Sequence, residues 1–248
     1  ITKYAVVVND PEDIEEVMKD AIRIATHGRP GPVWIDIPMD VQGAQCFDIE
    51  SELRKAERPL ILAGNGINCA QARDEFVDFV QRTNIPVVTS YNAVDLFPSV
   101  YSNFVGRVGV KGTRAGNFAM QNCDLLLVIG CRLSVPVTGY NYNTFAREAK
   151  VIVVDIDKDE HSKETVKIDR FIHRDAKDFL NINVFDREKN DWNEICRLWK
   201  KKWPVCPGTN PTEKVDLYYF MKCLNDLKRN DDVVISDAGS AFYVCAQA

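Results

Sequence analysis

The sequence predicts an α/β protein built on a doubly wound parallel sheet, with partial α/β units on either side. Three observations lead there: short runs of consecutive apolar residues, helical stretches alternating with them, and glycine-rich turns where the runs end. Apolar strands without inside–outside alternation are buried on both faces, which a parallel sheet covered by helices provides. At 248 residues, 46% apolar and 27% charged, the chain can bury a sizeable core under an ordinary charged surface.

The elements follow in order. Asn9-Asp10-Pro11 offers a helix start, with Asp10 as N-cap and Pro11 at the first helical position. Ile14, Val17, Met18, Ala21, Ile22 and Ala25 keep a helical spacing that ends at Gly28. Val33 to Ile37 is a strand closed by Pro38. One helix and one strand cannot make a core, so residues 1–45 are expected to close a domain that starts earlier, in a piece cut from the middle of a longer enzyme. The polar, aperiodic stretch Gln42 to Arg58 suits a linker.

A central domain then spans 57–182. Its strands are Pro59–Ala63, Ile85–Thr89, Asp124–Ile129 and Lys150–Asp155, and its helices are Ala70–Arg82 and Ala115–Gln121. Asn183 to Pro211 is polar and reads as a surface helix and linker, with Lys200-Lys201-Lys202 a solvated helix end. Residues 212–248 open a third unit, with a helix through Leu217, Phe220, Met221 and Leu224 and a buried strand over Asp232–Ser236.

Composition narrows the function. A net charge of −5 argues against nucleic acid, which needs a basic face. No run of 18 apolar residues is present, so no membrane span is expected. Eight cysteines form no Cys-x-x-Cys pair, and no His lies at zinc-ligand spacing beside them. They read as free buried thiols in a reducing compartment, the cytoplasm.

Ligands in open parallel sheets bind where strand C-termini meet helix N-termini, because exposed N–H groups and the helix dipole favour phosphate. Gly64-Asn65-Gly66, Gly130-Cys131-Arg132 and Asp155-Ile156-Asp157 all lie at strand ends. A carboxylate there can accept from a ribose hydroxyl, and an arginine can pair with phosphate. Gly106 to Thr113 adds three glycines and two cations, and Asp237-Ala238-Gly239-Ser240-Ala241 would let a diphosphate approach the backbone. Taken singly, each also fits plain turn chemistry.

Read together, these segments carry a resemblance. Gly28-Arg29-Pro30-Gly31-Pro32-Val33-Trp34-Ile35-Asp36-Ile37-Pro38-Met39-Asp40-Val41-Gln42 resembles the close of the pyrimidine-binding domain in thiamine-diphosphate enzymes of the acetolactate synthase type. Gly106 to Thr113, Asn122-Cys123-Asp124, Gly130-Cys131-Arg132, Val137-Thr138-Gly139 and Asp155-Ile156-Asp157 follow in that family's order. Asp237-Ala238-Gly239 resembles the opening of its diphosphate-binding domain.

The resemblance implies an enzyme that decarboxylates a 2-keto acid such as pyruvate and transfers the two-carbon unit to an acceptor, in branched-chain amino acid biosynthesis. It implies thiamine diphosphate, Mg2+ and FAD as cofactors, and a homodimer or homotetramer. It assigns Gly239, Ser240 and Ala241 to thiamine diphosphate, and Lys111, Gly112, Thr113, Arg132, Asp155, Ile156, Asp157 and Asp175 to FAD. In that family the activating glutamate precedes the position of Ile1 and the magnesium-binding segment follows that of Ala248. No catalytic residue or metal ligand is therefore assigned here, the chain alone is expected to be inactive, and His27, His161 and His173 are read as structural or surface residues.

The pattern also departs from the family. Its Arg-Phe-Asp-Asp-Arg stretch is Arg132-Leu133-Ser134-Val135-Pro136, its Met-His is Val110-Lys111, and its Gln-His is Ser240-Ala241. These departures predict FAD absent or weakly held, and an acceptor other than pyruvate or 2-ketobutyrate. Two alternatives remain: another thiamine-diphosphate decarboxylase or transferase of a specialised pathway, and a non-catalytic nucleotide-binding module.

Overall fold

The computed structural model describes residues 1–44, 47–182, 191–206, 208–209, 213–229 and 231–248. The chain divides between Glu52 and Leu53 into two compact units.

In the first unit, β1 (Tyr4–Val7) pairs in parallel with β2 (Val33–Asp36), joined through α1 (Ile14–Thr26) and followed by α2 (Met39–Gln42). β1 lies outside the sequence expectations, because its four residues are recognisable only once β2 pairs with them. The helix start differs too. Pro11–Asp13 forms a 3-10 turn in which the Asp13 N–H donates to the Asp10 carbonyl at 3.0 Å. Asp13, not Asp10, occupies the N-cap position of α1, and its side chain makes no capping bond.

The second unit begins inside α3 (Ile49–Lys55), where the polar sequence suggested a linker. One fully buried residue, Leu53, anchors it. There follow β3 (Pro59–Ala63), α4 (Gly66–Cys69), α5 (Arg73–Thr83), β4 (Val87–Thr89), β5 (Phe104–Arg107), α6 (Arg114–Asn122) and β6 (Leu125–Ile129). Then come α7 (Val135–Thr138), β7 (Lys150–Asp155), α8 (Lys158–His161), β8 (Arg170–His173), α9 (Ala176–Leu180), α10 (Asp191–Lys202), α11 (Leu217–Leu227) and α12 (Ser240–Gln247). The helix expected over 70–82 is α5, which starts three residues later because Gln71 takes φ +52, and the short α4 before it was not expected.

Six parallel strands lie in the order β5-β4-β3-β6-β7-β8. Counted from β3 this is 3-2-1-4-5-6, the doubly wound order, with its switch point between β3 and β6. The edge strands β5 and β8 were not expected. Both are four residues long, and β8 (Arg-Phe-Ile-His) lacks the continuous apolar run of the central strands. The Asp124 carboxylate fixes the start of the seam by accepting from the N–H groups of Glu57 (2.8 Å) and Arg58 (2.9 Å).

One face of the sheet, with Leu60, Leu62, Leu126, Val128, Val151 and Val153, packs against Ala115, Ala119 and Met120 of α6 and Trp192 and Cys196 of α10. α10 is therefore a core helix and not the surface element expected. Its apolar residues Trp192, Cys196 and Trp199 keep a helical stripe within a charged sequence. Trp192 Nε1 donates to the Pro59 carbonyl (3.0 Å) and Asn193 Nδ2 to that of Asn84 (2.7 Å). Lys200 is half-buried instead of solvated, because its Nζ donates to the Ser99 (2.7 Å) and Phe104 (2.8 Å) carbonyls. Phe76, Phe79 and Phe179, from α5 and α9, are buried elsewhere in this unit.

The strand expected over Asp232–Ser236 does not form, and Val233 and Ile235 are 85% and 91% exposed. An apolar run becomes a strand only when a neighbour pairs its backbone, and no described residue does so here.

Docking of α10 makes Trp192 a stability determinant. Trp192→Ala is expected to cost about 3–5 kcal/mol in urea unfolding. A loss within the error of the measurement would show that the helix is not part of the core.

Candidate functional site

The loops at the strand C-termini are held by main-chain contacts at the switch point. Gly64 N donates to Ile129 O, and Gly66 N to Gly130 O, each at 2.9 Å. A Cβ on Gly64 would stand 2.1 Å from Gly130 O, and Gly130 itself takes φ +58. The turns after β3 and β6 thus pack backbone on backbone, which only glycine permits. Polypeptide fills the crevice, and open space is displaced to either side.

On the β5 side, Thr113 caps α6. Its Oγ1 accepts from Gly116 N (3.1 Å) and donates to the Arg107 carbonyl (3.3 Å). The Asn117 side chain clamps Gly109, accepting from its N–H at 2.9 Å and donating to its carbonyl at 3.0 Å. Val110 N donates to Pro136 O at 2.9 Å, tying this loop to α7. Lys111 is exposed; its Nζ lies 5.2 Å from the Tyr243 ring centre, and its carbonyl accepts from Gln247 Nε2. A cavity of about 320 Å³ opens beside Gly112, Thr113, Arg114, Lys202 and Tyr218, with no carboxylate among the described residues of its wall.

On the β7 side, a cleft of about 200 Å³ is lined by Arg132, Ser134, Tyr142, Glu160, His161 and Lys163, among others. Arg132 is exposed, with Nη2 3.2 Å from Glu160 Oε2, and Glu160 also pairs with Lys163. The Lys163 hydrogen bond holds the Glu160 carboxyl below its ordinary range against some burial, with help from Arg132. Asp155 ends β7. Its Oδ1 accepts from Asp157 N (3.1 Å), and its Oδ2 lies 3.3 Å from His161 Nε2, off the hydrogen-bond direction. Burial raises the Asp155 carboxyl, but His161 and the N–H groups of Asp157 and Ile156 outweigh it and keep the pKa low.

Ile156 is exposed, and its carbonyl lies 3.0 Å from His173 Nε2. Asp157 caps α8 by accepting from Glu160 N at 2.9 Å, and Asp175 caps α9 by accepting from Lys177 N at 2.7 Å. Gly239 sits at the N-cap of α12 with φ +76 and no atom within 4 Å of a built Cβ, and no side chain caps Ser240 and Ala241 behind it.

The structure therefore gathers Arg132 and Asp155–Asp157 at adjacent strand ends, with Asp175 after the next strand. Lys111–Thr113 lies on the other side of the seam, against α12. His161, read from the sequence as structural or surface, is structural: its side chain is only 3% exposed beside Asp155. Among the described residues, no group of three His, Cys, Asp or Glu side chains could hold a metal ion, and no helix is long and apolar enough to cross a membrane.

A family model described as thiamine pyrophosphate enzyme, central domain, matches residues 48–182, a span that includes all of α3. A probable acetolactate synthase large subunit of Methanocaldococcus jannaschii is 34% identical over 96% of this chain and 46% of its own length. The acetolactate synthase isozyme 2 large subunit of Escherichia coli is 31% identical over 99% of this chain and 48% of its own. An acetolactate synthase large subunit of Corynebacterium glutamicum is 35% identical over 66% of this chain. The chain spans about half the length of the first two of these relatives.

Because the seam has no room for a side chain, Gly64→Ala is expected to lower stability by about 3 kcal/mol or more. Chemical denaturation measures it, and a wild-type midpoint would contradict the packing described.

Proposed function

The chain belongs to the thiamine pyrophosphate enzyme family, and from that premise we propose that it is the middle part of an acetolactate synthase-like large subunit. The whole protein would decarboxylate a 2-keto acid such as pyruvate and transfer the two-carbon unit to an acceptor, as a cytoplasmic homodimer or homotetramer in branched-chain amino acid biosynthesis. The observation that carries this reading is the breadth of the similarity. Identity at 34% extends over 96% of the chain, well beyond the central-domain match at 48–182.

The diphosphate of thiamine diphosphate would lie at Gly239, Ser240 and Ala241. These residues fit it, because the turn is open and the first N–H groups of α12 lack a side-chain cap. When bound, the cofactor supplies the electron sink that stabilises the carbanion left by decarboxylation. The chain's own part is to present those N–H groups. Mg2+ would accompany the diphosphate, held by residues outside this chain.

The flavin set fits less well. Thr113, Asp157 and Asp175 spend their side chains on helix caps, and Arg132 is paired with Glu160. Ser134, Val135 and Pro136 stand where the acetolactate synthase stretch carries two acids and an arginine. A charge-assisted hydrogen bond contributes about 1.5–3 kcal/mol, so losing two weakens binding by roughly a hundredfold or more. FAD is accordingly held weakly or not at all. The departures also favour an acceptor other than pyruvate or 2-ketobutyrate.

Two measurements test this. Expressed from its whole reading frame, the protein is expected to release CO2 from pyruvate in a thiamine-diphosphate- and magnesium-dependent reaction, while the 248-residue chain alone forms no acetolactate. Turnover by the chain alone, or inert whole protein, would overturn the reading. Titrating FAD into the chain and following flavin fluorescence should give a Kd above about a micromolar, roughly −8 kcal/mol; tighter binding would show that the losses at 134–136 are compensated.

A further inference from the structure

The acidic charge of the chain is not spread evenly. Residues 96–123, 195–212 and 238–248 include no Asp or Glu, although the chain carries 36 acids against 31 basic residues. The first two of these segments nevertheless hold seven of the basic residues. The fold brings all three segments together. α6 packs against α10, Gln247 Nε2 donates to the Lys111 carbonyl, and Arg107 Nη1 donates to the Gln247 carbonyl at 3.0 Å.

The cavity of about 320 Å³ lies where they meet. Arg114 comes from the first segment, Lys202 and Trp203 from the second, and Gln247 from the third, with Tyr218 of α11 beside them. The Tyr218 hydroxyl and the Gln247 amide are spent on each other and on the Lys111 carbonyl. Arg114 and Lys202 are exposed, and neither forms an ion pair among the described residues. Lys202 Nζ lies 5.0 Å from the Trp203 ring centre, a contact that steadies the ammonium without neutralising it. Two more cations stand behind the wall. Arg107 is 9% exposed and its Nε has no hydrogen-bond partner, while Lys200 Nζ donates to the Ser99 and Phe104 carbonyls. Carbonyl partners occupy N–H groups but leave the positive charge in place, and buried charge is poorly screened by solvent.

We propose that this cavity binds a phosphate group, free or carried on a small organic molecule, with Arg114 and Lys202 as its ionic contacts. The guanidinium fork matches two phosphate oxygens, and the ammonium acts as a point charge on a third. The volume falls at the lower end of the range for small-molecule sites, about 300–1,000 Å³. Trp203 offers an aromatic wall to whatever carries the phosphate. Gly112 and Thr113 form one side of the same space but supply no charge, and Arg114 and Lys202 belong to neither cofactor assignment. The thiamine chemistry proposed above is not required.

Calorimetric titration of the intact chain at low ionic strength, with inorganic phosphate and separately with AMP, tests this. Phosphate is expected to bind with a Kd at or below about a millimolar. Arg114→Gln and Lys202→Gln, each checked by circular dichroism, should weaken it about tenfold. Lys201→Gln, a charge change one residue away and outside the cavity wall, should leave it within about twofold. AMP binding about tenfold tighter than phosphate would identify a carried phosphate, and equal affinity a free one. The absence of phosphate binding up to about ten millimolar would overturn the proposal. So would affinity that Arg114→Gln and Lys202→Gln leave unchanged, or that Lys201→Gln lowers as much as they do, since diffuse surface charge would then account for it.

Discussion

The contact between the Gly64-Asn65-Gly66 turn and Gly130 governs the architecture of the larger unit. β3 and β6 are the pair from which the sheet winds in opposite directions, and their following turns meet with no side chain between them. At the other end of the same pair, the Asp124 carboxylate accepts two backbone N–H groups from the residues preceding β3. The central pair is thus pinned at both ends. The strands outward from it inherit their register.

That seam also decides where ligands can go. In many doubly wound sheets the crevice at the switch point is the binding site. Here main chain fills it, and the Gly109–Val110 segment is further bound to Asn117 and Pro136. Beside it lie a cationic cavity near α6 and α12 and a mixed-charge cleft between β6 and α8. The mixed-charge cleft has already paired its charges internally. The α12 turn, by contrast, has no side-chain cap at its N-terminus.

α10 illustrates how a charged sequence can hide a core element. Three apolar residues on one face suffice to dock it, and the exposed face carries the charge that made it read as surface. Its last turn crosses the edge strand, so Lys200 exchanges water for two carbonyls and a neighbouring guanidinium. Burial and the nearby Arg107 lower the pKa of Lys200 to about 8, so the contact that ends the helix sets one of three consecutive lysines apart from the other two.

Sequence by itself determined the central strands and the family. β3 and β7 lie where their apolar runs predicted, and β6 begins one residue later, because a strand buried on both faces writes its boundaries into local hydrophobicity. The glycine turns and the order of the segments likewise carried the family assignment. Tertiary structure alone decided the rest. β1, β5 and β8 are four-residue strands whose existence depends on a neighbour, and Asp232–Ser236, apolar enough to suggest a strand, lacks one. Asp157 suggested a ligand carboxylate by position and Asp175 by the resemblance, yet their oxygens accept from helix N–H groups that no linear pattern displays. Burial of His161 and Lys200 followed from packing across the sheet. Pairing and desolvation are properties of partners distant in sequence, and a local pattern does not encode them.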